Sequence, residues 1–120
     1  MKPKFLTSLI AIFFISTSVL AQEYLTFDIT NNTGVDIMSI QVSESNKSLW
    51  GDDIIETDVF MSGDTFEVIL PITNQTICAH DLKVTDFEDT YAYLTGADLC
   101  IISNITLFFD NNGTLTWSLE

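Results

Sequence analysis

The chain has a single histidine, His80, and it stands beside Asp81. A hydrolase built on this pair would need the acid to orient the imidazole and a placed hydroxyl nucleophile. Neighbouring residues of a strand point to opposite faces, so Asp81 is badly placed to orient His80. No Gly-x-Ser-x-Gly elbow occurs. His80 is in phase with Leu82 and Val84, which reads as a hydrogen-bonded, partly buried core histidine. A small hydrolase is therefore the weakest alternative, and the chain is expected not to be an enzyme. Paired carboxylates could also cleave glycosides, but a chain with 17 acids offers such pairs anywhere.

The acids have a second chemistry. Asp52, Asp53, Asp86, Asp89 and Asp98 all fall in expected loops or turns. Loop carboxylates are hard oxygen ligands of the kind calcium takes. If the loops of one domain end converge, these five could hold that ion. No EF-hand spacing is present, and Asp110-Asn111-Asn112-Gly113 lacks its alternating ligands and terminal Glu. The plainer reading is a solvated acidic surface. Trp50, Tyr91 and Tyr93 are the candidate ligand contacts, because aromatic rings stack on apolar faces while their polar tips bond outward. The competing reading folds Trp50 over a domain end, sets Trp117 in the core, and makes Tyr91 and Tyr93 a cross-strand ladder.

Cys78 and Cys100 are the only two cysteines. Metal binding needs more ligands than two thiols and one histidine, and the Cys-x-x-Cys redox spacing is absent. Their use depends on compartment. Residues 1–21 begin with Lys2 and Lys4, continue through an apolar stretch, and end in Val19-Leu20-Ala21. That is the layout of a cleaved secretory signal peptide, shorter than a membrane span. Export to the periplasm or the exterior is expected, with no membrane attachment after cleavage, and there the cysteines pair as a disulfide.

Cleavage sharpens the charge. The whole chain carries −13; residues 22–120 keep all seventeen acids against Lys47 and Lys83, a side-chain charge of −15. Nucleic acid is excluded as a partner, since its phosphates reward clustered Lys and Arg, and the chain has no Arg. A protein or a glycan remains, and an acidic surface would steer toward a basic protein. Five Asn-x-Ser/Thr sequons, at Asn31, Asn46, Asn74, Asn104 and Asn112, matter only in a glycosylating host.

Residues 22–120 must position these groups. Leu25, Phe27 and Ile29 alternate with Thr26, Asp28 and Thr30 before the turn Asn31-Asn32-Thr33-Gly34. Strands are expected at 35–42, with a bulge where the apolar phase slips between Ile37 and Met38, and at 58–61, 65–70 and 76–84. Pro71 should end the strand at 65–70, and Cys78 should face inward with Leu82. Strands at 90–94 and 99–103 flank a turn at Thr95-Gly96-Ala97-Asp98, and the hairpin at 105–109 and 115–119 is the clearest. Eight or nine short strands at this spacing predict one all-β domain, an antiparallel sandwich, immunoglobulin-like or similar, with one disulfide.

Asn32-Thr33-Gly34, Val42-Ser43, Trp50-Gly51-Asp52-Asp53, Ser62-Gly63-Asp64, Cys78-Ala79-His80-Asp81-Leu82 and Asp98-Leu99-Cys100 follow one another in an order that resembles small secreted or periplasmic bacterial β-sandwich proteins of uncharacterised function. The resemblance implies export and the fold, and it transfers no binding residue. The expected role is an exported, non-catalytic binding or structural module, with a calcium-stabilised adhesion or structural domain as the alternative.

Overall fold

Alternation of apolar and wet residues extends the chain seven times. The computed structural model describes residues 23–56 and 58–120; the signal-peptide expectation for 1–21 lies outside them. The strands are β1 (Glu23–Asn31), β2 (Ile37–Glu44), β3 (Thr65–Ile72), β4 (Ala79–Asp86), β5 (Tyr91–Asp98), β6 (Asn104–Phe109) and β7 (Leu115–Leu119). They form a four-stranded sheet in the order β3-β1-β6-β7 and a three-stranded sheet in the order β2-β4-β5. The two pack as a sandwich. Phe27, Ile29, Val68, Ile105 and Leu107 of the first sheet meet Ile40, Val42, Leu82, Val84 and Leu94 of the second in one core. Burying each such side chain contributes about 1.5–3 kcal/mol.

Several expectations hold in detail. The β6–β7 hairpin turns at Asp110, whose carboxylate accepts the Asn112 and Thr114 amides. The register of β2 on β4 slips between Ile37 and Ser39, at the expected bulge. Cys78 and Cys100 are joined as a disulfide.

Other expectations are corrected. There are seven strands among the described residues, not eight or nine. The segment 58–61 is not a strand: Phe60 makes an isolated bridge to Ile37 and is buried beside it. Pro71 does not end β3, because β3 is an edge strand where a missing N–H costs no ladder bond. Gly96 sits inside β5 rather than in a turn. His80 pairs with Ala97 and Leu82 with Leu94, so β5 carries an extra residue there, and Gly96 at φ 81° supplies the left-handed backbone of that bulge. Residues 99–103 then form a turn. Cys78 is exposed, one residue before β4 begins, so it does not continue the inward face of Leu82. One pairing is parallel, β1 with β6, aligning Ile29 with Ile105.

Candidate functional site

The wet face of the β2-β4-β5 sheet carries two register rows. Ser39, Thr85 and Tyr91 lie side by side, and so do Gln41, Lys83 and Tyr93. Tyr91 and Tyr93, two residues apart on β5, necessarily share this face. They are 53% and 52% exposed. Their rings meet edge to face with centroids 5.3 Å apart, and the Lys83 ammonium lies 4.7 Å above the Tyr91 ring. Both contacts set positive charge, a ring edge or an ammonium, against the negative face of a ring.

Trp50 arrives from a loop that runs along the free edge of β2. The Gly51 N–H donates to the Val42 carbonyl, the Ile54 N–H to the Ile40 carbonyl, and the Ser43 hydroxyl to the Leu49 carbonyl. The Gln41 amide donates to the Gly51 carbonyl at 3.1 Å. The Asp53 carboxylate accepts the amides of Ile40 and Ile55 at 3.0 and 3.1 Å. Loop 49–54 thus covers an edge that would otherwise offer unpaired backbone. It lays the Trp50 indole parallel to the Tyr93 ring, with centroids 5.7 Å apart and planes 7° from parallel. Trp50, Tyr93 and Tyr91 form one aromatic strip. The Tyr93 phenol is held above the ordinary tyrosine value, first by partial loss of water and then by the neighbouring Tyr91 phenol. The Tyr93 phenol therefore remains a neutral hydrogen-bonding group at neutral pH.

Gly51 is what allows the close approach. A Cβ built there would stand 2.7 Å from the Val42 carbonyl oxygen, a backbone atom that cannot swing away. Gly51→Ala is expected to lift the loop from β2 and uncouple Trp50 from Tyr93. Near-ultraviolet circular dichroism should lose intensity in the tryptophan region while the far-ultraviolet strand signal is kept. An unchanged near-ultraviolet spectrum would show that the close approach does not position Trp50.

The candidate calcium ligands are not brought together. Asp86 and Asp98 occupy opposite ends of the β4–β5 hairpin, about 23 Å apart along strands that rise roughly 3.3 Å per residue. Asp53 is engaged by backbone amides beside β2, Asp86 accepts the Glu88 and Thr90 amides, and Asp98 accepts the Cys100 amide. Asp52 and Asp89 are exposed elsewhere. Among the described residues, the one group of three metal-ligating side chains is Cys78, Asp98 and Cys100, and its sulfurs are consumed by the disulfide.

His80 and Asp81 face opposite sides, as strand geometry requires. Asp81 accepts the Ser45 hydroxyl and the Gly96 amide on the wet face, whereas His80 is buried and bonds to the Cys78 carbonyl.

Sequence reasoning singles out Trp50, Tyr91 and Tyr93, which the structure brings together, but not Lys83 and Gln41. Their signal was their outward phase, and only the strand register sets them in the row of Tyr93.

No protein-family model matches the chain, and none of the curated proteins does. Among solved structures, its fold is similar to that of a protein from Eubacterium rectale determined by NMR, with a TM-score of 0.54 and 15% identity, covering 81% of this chain and 88% of that one. That likeness is to a bacterial protein and concerns the fold.

Proposed function

We propose that the chain is an exported, non-catalytic binding module that holds a glycan on the aromatic strip of Trp50, Tyr93 and Tyr91. The observation that carries this reading is the alignment of three rings, two of them half exposed, on the wet face of a rigid sheet. A sugar presents an apolar C–H face and a rim of hydroxyls. The rings suit the first, and the Gln41 amide, the Thr85 hydroxyl and the Lys83 ammonium on the same rows suit the second. The rings are also stiff, so little side-chain entropy is lost when they are covered.

The non-catalytic part rests on the separation of His80 from Asp81 and on the commitment of both to structural hydrogen bonds. Export rests on the layout of residues 1–21. The calcium-stabilised alternative lacks a comparable support, because its carboxylates are spread from the free edge of β2, where Asp53 is held, to both ends of the β4–β5 hairpin, where Asp86 and Asp98 lie.

The test is a screen of soluble oligosaccharides followed by titration of tryptophan emission. A bound glycan is expected to shift the Trp50 emission. Trp50→Ala should weaken binding by about tenfold or more, the scale of an aromatic anchor, while the melting temperature stays within a few degrees. Saturable binding of a protein partner with no glycan response would replace the ligand class. Equal glycan affinity in Trp50→Ala would move the site off the strip.

A further inference from the structure

On the other side of the β2-β4-β5 sheet, between its edge and β3, lies a cleft of about 290 Å³. That is at the small end of ligand-binding clefts. Its floor is a cross-strand pair: Glu44 of β2 stands opposite His80 of β4, the next inward pair after Val42 and Leu82. Directly opposed residues hold their Cβ atoms about 5 Å apart.

His80 is only 4% exposed. Its Nδ1 is 2.9 Å from the Cys78 carbonyl oxygen. A carbonyl can only accept, so Nδ1 carries the proton, and in the neutral ring Nε2 is a lone-pair acceptor. Nε2 has no partner among the described residues, yet no fully buried side-chain nitrogen or oxygen there is left unpaired. Nε2 therefore opens onto the cleft that His80 lines. Glu44 uses one carboxylate oxygen on the Ile77 amide, at 3.3 Å, and keeps the other. Asp52 stands at the rim, and neither lysine of the described residues lines the cleft. The ionisable groups thus offer only acceptors. Leu70 and Ile72 of the facing sheet, with Val42 and Ile54, supply apolar walls.

We propose that this cleft binds a small primary alkylammonium. Its N–H donors meet Nε2 of His80 and the free oxygen of Glu44, with Asp52 adding negative potential at the entrance. Its carbon chain lies against Leu70 and Ile72. The strongly acidic molecule raises the local concentration of such a cation. The site is separate from the aromatic strip, so either proposal can fail without the other.

The experiment titrates the folded, disulfide-intact protein with n-butylammonium, followed by NMR of the His80 ring, whose signals are unambiguous because the chain has one histidine. The expected result is a saturable shift of those signals with a dissociation constant on the order of 1 mM. Tetramethylammonium has no N–H and should leave His80 unmoved, although it can sit over Tyr91 by a cation–π contact. Glu44→Gln should weaken binding by about tenfold, the scale of a lost charge-assisted hydrogen bond. The proposal is overturned by no saturable His80 shift up to about 50 mM, well above that constant. Shifts confined to Tyr91 and Tyr93, or a folded Glu44→Gln protein of unchanged affinity, overturn it too. If Glu44→Gln does not fold, the comparison of the two ammonium probes on the unaltered protein decides.

Discussion

Replacing Asn31 by Ala is expected to lower the stability by about 3 kcal/mol, mainly through lost buried hydrogen bonds. For a domain of this size that corresponds to about 15 °C in melting temperature. Asn31 ends β1 and is completely buried. Its side-chain amide donates to the Val35 carbonyl at 2.9 Å and to the Phe60 carbonyl at 2.8 Å. Its side-chain oxygen accepts the Thr33 amide at 3.0 Å and the Thr33 hydroxyl at 2.6 Å. One side chain thus holds the β1–β2 turn to itself and to the segment that places Phe60 in the core. Alanine removes these bonds, leaves a void, and strands the Thr33 amide. Asn31→Asp, nearly the same size, should be at least as damaging, because it turns an acceptor oxygen toward two carbonyl oxygens. Asn32→Ala, one residue on and exposed, should stay within about 0.5 kcal/mol of the parent. Equal melting temperatures for the Asn31 and Asn32 variants would refute the buried-network account.

Reducing the Cys78–Cys100 disulfide is the second large effect. The bridge spans 22 residues, and this segment contains the whole β4–β5 hairpin. Closing a loop of that length restricts the unfolded chain by about 3 kcal/mol in the chain-entropy model. Both cysteines are exposed, so a thiol reductant reaches the bond in the folded protein. The midpoint of urea unfolding is expected to fall by about 2 M, taking a slope near the lower end for small domains. The folded reduced protein should keep its sheet signal in mild conditions, because the core lies between the sheets and away from the sulfurs. Coincident unfolding curves with and without reductant would show that the unfolded chain gains nothing from release of the loop.

These two features were unequally legible in the sequence. The disulfide is expected from there being two cysteines and from the export that the layout of residues 1–21 suggests. In the sequence Asn31 reads as the start of a turn and as a sequon, since an Asn opening Asn-Asn-Thr-Gly signals a local bend equally well when its side chain faces water. What makes it a keystone is Phe60, 29 residues away, and no local pattern announces that contact. Gly96 shows the same ambiguity: a glycine that permits positive φ serves a turn and a bulge alike, and the pairing of β5 with β4 selects the bulge. Pro71 reads as a strand end in the sequence because a missing N–H is costly inside a sheet. At an edge the cost disappears, and whether β3 is an edge is a matter of sheet order.

The candidate sites divide along the same line. Tyr91 and Tyr93 share a face by spacing alone. Trp50 joins them only because a loop is hydrogen-bonded along β2 and reaches across the sheet. Glu44 and His80 lie 36 positions apart and become neighbours through register. The five loop acids looked equivalent in sequence, and the sheet separates them.

The all-β sandwich, the cysteine pairing and the face shared by alternate residues within a strand are legible in the sequence alone, but not where each strand begins and ends: Cys78 lies outside β4 and Gly96 inside β5. Side-chain alternation is a two-residue property of extended backbone, and two cysteines leave one intramolecular pairing. Only the tertiary structure decided strand order, the parallel β1–β6 pairing, the edges, and which groups meet across strands. Those depend on hydrogen-bond register and on core packing between segments distant in sequence, and a local pattern carries no record of either.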